Sequence, residues 1–340
     1  MRIRIIPMPY GECLILQWKD SKDADRTILL DSGTVSSYKR HLRQFLAELD
    51  GDIDLWVISH IHDDHIGGVL KYIDDMQGGI LDVKCRQWLF NYICEDSETF
   101  TTTRYKDASV AESVRQGNIL SAYLNSIGVS DIECAAVRGK VINIDNARLT
   151  VLNPSDINWR DEENIPSSFA ASSGENDYGK AIDSFDVESY KEDSNVINAS
   201  SMALLIEISG KVFLWMADSV SSEVCAALEQ LGYSKSNPLI CDCMTLPHHG
   251  SKGNISKDLL EMIRCKRFIV TSDGENIHNL PDKEALSKVI LCNKKHSDFQ
   301  TKIIFPSDNN TLRNLFRIDG PEASNIHNFR ISLGITSLNL

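Results

Sequence analysis

Between residues 60 and 65 the chain reads His-Ile-His-Asp-Asp-His, placing three of its nine histidines and two aspartates in six positions. Imidazole nitrogens and carboxylate oxygens are the ligands that zinc and its neighbours accept. On a tight turn, His60 and His62 aim at one point, while Asp64 and His65 aim at a neighbouring one. The pattern therefore predicts two metal ions side by side. Two such ions activate a water near neutral pH and take up charge developing on a phosphoryl or acyl oxygen, so the expected chemistry is hydrolysis by direct water attack. The sequence contains neither G-x-S-x-G nor a P-loop, so no serine nucleophile or phosphate cradle competes with that reading.

The elements around the motif must hold it open. "DIDLWVIS" (52–59) reads as a buried strand and "GGVLKYIDDM" (67–76) as the helix after it. That places the ligands in the loop at a strand's C-terminal end, where α/β proteins keep their chemistry, with Gly67-Gly68 turning the backbone into the helix. Upstream, "RIRII", "CLILQW" and "RTILLD" read as strands, and 38–50 as a helix through Leu42, Phe45, Leu46 and Leu49. A helix is expected at 108–127 and a hairpin at 138–155. Residues 156–198 are acidic, rich in Ser, Asn and Asp and without apolar periodicity, which predicts a flexible insertion or lid. Then "SMALLIEISGKVFLWMADS" reads as a hairpin, followed by alternating helices (221–231, 256–264, 282–291) and strands (239–246, 267–272, 301–305). Strands followed by helices in both halves predict one domain over 1–340. Its fold class is an α/β (α+β) αββα sandwich, two mixed sheets face to face with helices outside.

Composition narrows the class. The 340 residues are 42% apolar, enough for a sizeable core, and the nine cysteines are scattered with no C-x-x-C pair, as in a reducing compartment. No run approaches the roughly 20 apolar residues of a membrane span, and "MRIRIIPMPYGE" has no signal-peptide character, so a cytoplasmic protein is expected. A formal charge of −13 argues against general affinity for the nucleic-acid backbone, although metal ions would reverse the field locally.

"HIHDDHIGG" resembles the H-x-H-x-D-H signature of the metallo-β-lactamase fold, whose members are mostly two-metal hydrolases. "VFLWMADS" is similar to the strand carrying that family's bridging aspartate, here Asp218. "LPHHGSKGN" (246–254) and "SDGENIHNLPDKEAL" (272–286) resemble blocks of the ComEC-like branch, named for a DNA-uptake competence protein, and "LLDSG" resembles the motif whose acid, here Asp31, supports the ligands from behind. The resemblance implies His60 and His62 on the first metal, Asp64 and His65 on the second, and Asp218 on both. One of His248 and His249 completes the second site, His248 by preference, leaving His249 over the substrate with His278 contacting its phosphate or leaving group. The family's further histidine before the bridging aspartate is missing, since no histidine lies between 66 and 247. "NVINASS" stands near that place, making Asn198 or Ser200 a weak ligand or water holder. The first site is expected to be the weaker: loosely bound, selective for manganese over zinc, or empty.

The resemblance implies a phosphodiesterase or nuclease acting on nucleic acid or nucleotide, with a protein partner in a multi-component system such as phage defence. Trp88, Phe90, Tyr92, Arg104 and Tyr105 are the aromatic and basic candidates for gripping a single strand, though a buried strand explains the first three equally. The alternatives are a hydrolase of a small ester, lactone or cyclic nucleotide, and a metal-stabilised interaction module with weak turnover.

Overall fold

A computed structural model describes residues 1–91, 108–130, 134–156, 176–296 and 298–340. Among these, the first sheet has the order β16-β1-β2-β3-β4-β5, with β1 (Arg2–Ile5), β2 (Leu14–Lys19), β3 (Asp25–Leu30), β4 (Leu55–Ile58), β5 (Trp88–Phe90) and β16 (Ser337–Asn339). Strands β16 to β3 run antiparallel, and β3, β4 and β5 run parallel. The second sheet has the order β15-β14-β13-β11-β9-β8-β7-β6. It is antiparallel through β6 (Val141–Ile144), β7 (Ala147–Asn153), β8 (Ala203–Ile208) and β9 (Lys211–Trp215). From β9 it continues parallel through β11 (Cys243–Thr245), β13 (Arg267–Ile269), β14 (Thr301–Ile304) and β15 (Phe329–Ser332). A separate parallel pair joins β10 (Leu239–Cys241) to β12 (Ile263–Cys265).

Alternation along the strands sets the layers. Leu14, Leu16, Leu55 and Val57 face Leu204, Ile206, Phe213 and Trp215 in the core between the sheets. Their neighbours Ile15, Trp56 and Ile58 turn outward onto the helices α1 (Asp63–Gln77) and α2 (Ala108–Ser126). On the far side of the second sheet, Leu214, Met244 and Phe268 pack beneath α3 (Ser221–Gln230) and α4 (Lys283–Asn293). Strands buried on both faces read as continuous apolar runs, and this is why "LWVI" and "LILQW" are legible. The result is the αββα sandwich.

Several expectations change. The strand expected over 239–246 is two, β10 and β11, in different sheets, and the helix expected over 256–264 ends at Glu261 ahead of β12. Helix α1 starts at Asp63 rather than 67, so Asp63 and Asp64 occupy its first turn, where the helix dipole favours acids. Gly67 and Gly68 therefore lie inside the helix. Gly68 is required for close approach, because a Cβ there would sit 2.1 Å from the Ser32 carbonyl. In the acidic stretch, residues 157–175 lie outside the described residues, but 176–198 are packed rather than free. The Asp177 carboxylate accepts from the Lys283 and Glu284 amides at the start of α4, Tyr178 donates to the Pro281 carbonyl, and Lys288 donates to that of Ser189. No helix among the described residues is long and apolar enough to cross a membrane.

Candidate metal centre

Loops at the C-terminal ends of β3, β4, β9, β11 and β13 meet at one edge of the sandwich. His60 and His62 come from the loop after β4, Asp64 and His65 from the first turn of α1, and Asp218 from the turn after β9. His248 and His249 follow β11 on a backbone that is left-handed at both residues (φ 48° and 56°), a conformation uncommon outside glycine. That twist sends two consecutive imidazoles to two different places.

The side chains form two groups around Asp218. In the first, Nε2 of His60 is 3.0 Å from Nδ1 of His62 and 3.7 Å from Oδ2 of Asp218. His248 Nε2 approaches the same Oδ2, also at 3.7 Å. In the second, His249 Nε2 lies 3.3 Å from His65 Nε2, 3.1 Å from Asp64 Oδ2 and 3.6 Å from Asp218 Oδ1. His65 Nε2 is 3.3 Å from the same Oδ1. Each group brings at least three ligand atoms within 4.8 Å of one another. Asp218 thus offers one oxygen to each group.

Hydrogen bonds behind the rings fix what the rings present. Asp31, fully buried, receives Ser59 N and Oγ (both 2.7 Å) and the His65 Nδ1 proton at 2.6 Å. Ser59 Oγ, its hydrogen given to Asp31, accepts from His60 Nδ1 at 2.9 Å. His248 Nδ1 faces Asn254 Oδ1 at 3.1 Å and Asp193 Oδ2 at 3.4 Å. Asn254 in turn holds the Asp218 and Ser219 carbonyls. The second group sets two Nε2 atoms beside two carboxylate oxygens, and Asp218 Oδ1 is buried without a hydrogen bond. Imidazole nitrogens and carboxylate oxygens gathered at one point are a ligand set that suits a divalent cation. The residues fit two such ions.

The electrostatics agree. Burial pushes His60 well below the usual imidazole range and His62 down to about 4. Burial acts the same way on His65, but the carboxylates of Asp218, Asp64 and Asp31 hold it well above that range. Against burial, Asp218 and Asp193 hold His248 up at about 9. Burial would raise Asp64 and Asp218, yet the imidazoles, His65 foremost, keep both carboxylates below their ordinary range. A field that retains a proton this strongly attracts a divalent cation in its place, and loading the site releases protons.

Several assignments from sequence move. His249, not His248, joins Asp64 and His65, because the left-handed turn rotates it inward beside Thr271. His248 turns instead to the oxygen of Asp218 that faces His60. Asn198 lies behind the His248 ring: its Nδ2 donates to Asp193 and is 3.5 Å from Nδ1 of His248, while its Oδ1 is buried without a partner. Ser200 Oγ is spent on the Ile197 carbonyl; the neighbouring Ser201 is the one beside His60 Nδ1, and it accepts from the Asp218 amide. His278 stands at the rim, exposed and edge-on to Tyr10 at 4.8 Å between centroids. Desolvation lowers its pKa from the ordinary value. Trp88 stacks on Trp56 and Phe90 is likewise buried, so neither grips a ligand, while Tyr92, Arg104 and Tyr105 lie outside the described residues.

Glu12, Ser59, Asp193 and Thr271 were not indicated by the motifs, and Ser201 and Asn254 end the blocks 195–201 and 246–254 without having been singled out. Glu12 alone had a local signal, as an acid between Gly11 and an apolar strand.

The architecture, two mixed sheets face to face with helices outside, matches the metallo-β-lactamase fold. Residues 14–75, which include β2, β3, β4 and the whole His-x-His-x-Asp-His motif, match the family model of the metallo-beta-lactamase superfamily. No curated protein matches the chain. Among solved structures, the metallo-beta-lactamase fold protein YhfI from Bacillus subtilis aligns over 99% of this chain and 98% of its own, at 11% identity and a TM-score of 0.41. Zn(2+)-bound PqqB from Methylobacterium extorquens aligns over 100% of both chains at 11% identity and 0.43. The diiron beta-hydroxylase CmlA from Streptomyces venezuelae covers 99% of this chain and 54% of its own at 11% and 0.41.

Proposed function

We propose that the protein is a two-metal hydrolase of phosphodiester bonds in nucleotides or nucleic acid, of the ComEC-like branch of its fold. The observation that carries it is the Asp218 carboxylate with one oxygen facing each of two acceptor-lined groups. His60, His62 and His248 would hold one ion, and Asp64, His65 and His249 the other. When bound, such a pair lowers the pKa of water to near 7 and stabilises charge on a substrate oxygen. The hydroxyls of Ser59 and Ser201 are turned to the far side of His60, so attack falls to water rather than to a side chain.

At the mouth, desolvation lowers the pKa of His278 and so favours its neutral form, and Tyr10 keeps its proton, its pKa raised by burial and then by Asp64. Both are therefore neutral hydrogen-bond donors, suited to a phosphoryl oxygen or a leaving group. The segments supplying His248, His249 and His278 are the ones that resemble the nucleic-acid-processing branch, and this supports the phosphodiester. Burial of Trp88 and Phe90 removes two stacking candidates for a long single strand and favours a nucleotide-sized substrate.

The test is metal content and hydrolysis of bis-p-nitrophenyl phosphate, with and without added Mn²⁺, in the wild type and in Asp64→Ala plus His65→Ala. Two bound ions with turnover that vanishes in the double variant are expected. Two ions with turnover only on a lactone or thioester panel would move the reading to the small-ester hydrolase.

A further inference from the structure

Glu12 is a fully buried carboxylate that the proposed chemistry does not use. It sits after Gly11 (φ 108°), where a Cβ would lie 2.5 Å from the carbonyl of Asp64, and before β2. One of its oxygens, Oε1, accepts from the indole Nε1 of Trp215. The other accepts from Thr271 Oγ1 at 3.1 Å, and Thr271 Oγ1 lies 2.9 Å from His249 Nδ1. A threonine hydroxyl has one hydrogen. With that hydrogen given to Glu12, the oxygen accepts from His249 Nδ1–H, and Nε2 keeps its lone pair toward Asp64 and His65.

We propose that Glu12 is a positioning residue for the second metal, acting through Thr271 to fix the tautomer and direction of His249. The inference rests on the two-metal reading above. The same device occurs independently on the first sheet, where Ser59 gives its hydrogen to Asp31 and accepts from His60. Each sheet thus contributes a hydroxyl between a buried carboxylate and a ligand imidazole, and partners of this kind set ligand orientation in metal sites.

The donor pattern calls for a carboxyl group rather than an amide. Glu12 faces two donors, indole N–H and hydroxyl, and a carboxylate accepts both. A glutamine amide turned toward Thr271 would donate to it, and the hydroxyl would then donate to His249 Nδ1. That selects the tautomer with hydrogen on Nε2, which cannot ligate. Turned the other way, the amide confronts the indole donor. Burial, and after it the Asp31 carboxylate, push Glu12 up to about 8, and a bound divalent cation nearby acts in the opposite direction.

The experiment is Co²⁺ titration of chelator-stripped protein, reading the visible spectrum and stoichiometry of bound cobalt, for wild type, Glu12→Gln, Thr271→Val and Thr271→Ser. Thermal melts of the metal-free proteins report folding. The wild type is expected to bind two equivalents. Glu12→Gln and Thr271→Val should weaken the second by about 10–100-fold and leave the first within about twofold, while Thr271→Ser behaves as wild type. If Glu12→Gln does not fold, Thr271→Val, which keeps the side-chain shape, decides. Two tight equivalents in Thr271→Val would overturn the positioning role and leave the two-metal reading standing. A Thr271→Ser variant as weak as the valine would also overturn it, since the methyl group rather than the hydroxyl would then matter. A wild type without a second equivalent overturns both.

Discussion

The two ligand groups share Asp218 but are built differently behind it. In the second group, His65 and His249 are at most 2% exposed, and each is backed by a buried carboxylate, Asp31 directly and Glu12 through a hydroxyl. In the first, the His248 side chain is 27% exposed and backed by the Asn254 amide and by Asp193, which arrives from outside the sandwich. A charged partner raises ligand basicity and restrains the ring more than an amide does, and the effect grows where water is excluded. The second group is the more preorganised site. The first is the more accessible and tunable one, and its strength depends on a segment that a different sequence could lengthen or release. A weak first site was expected because a histidine seemed missing. In the structure His248 of that group is partly exposed, with the Asn254 amide oxygen at 3.1 Å and the Asp193 carboxylate at 3.4 Å behind it.

The sharpest way to break this contrast is Asp31→Asn. Asp31 holds His65 directly and His60 only through Ser59. Second-site affinity should fall by roughly 100-fold and first-site affinity by roughly 10-fold, read by competition with a chromophoric zinc chelator. Equal losses at both sites would erase the distinction between direct and relayed support.

A smaller effect is expected from Asp193→Asn. It removes the charge 3.4 Å from His248 Nδ1 while keeping the shape that bonds the Gly253 carbonyl through the backbone. First-site affinity should drop by about 10-fold with the second unchanged. Weakening of the second site instead would mean that the packed segment 176–198 supports the whole edge rather than one imidazole.

The sequence made some of this legible and hid the rest for physical reasons. Strands β2 and β4 show plainly because both of their faces are buried. The 60–65 motif shows because ligand types are concentrated locally. The exchange of His248 and His249 could not be read, since it depends on two consecutive left-handed residues that neither side chain demands. Glu12 and Thr271 are 259 residues apart, and no periodicity connects them. Residues 176–198 looked unstructured because their order comes from polar contacts such as Asp177 with the α4 amides, and not from an apolar stripe.

The smallest effect on either site should come from the opposite end of α1, and it separates scaffold from centre. Asp75 is fully buried and accepts from Arg43 Nε at 2.6 Å, Arg43 Nη2 at 3.0 Å and the Tyr38 hydroxyl at 3.0 Å, with Lys71 Nζ at 3.2 Å. Burial alone would raise its pKa, but these donors, Arg43 foremost, hold it below the ordinary carboxylate range. A carboxylate depressed on folding contributes its stabilisation fully above its unfolded pKa of about 4, and loses it as pH falls through the lower folded value. Asp75→Asn should therefore destabilise the metal-free protein by about 2–3 kcal/mol at pH 7. That deficit should shrink below pH 4, as seen by urea denaturation at the two pH values. Cobalt stoichiometry at pH 7 should remain two, because the twelve residues from Ile66 to Gln77 carry no ligand and α1 reaches the centre only through its first turn. A lost equivalent in this variant would show that the helix transmits strain from its far end to Asp64 and His65, and that the second site is less preorganised than its buried carboxylates imply.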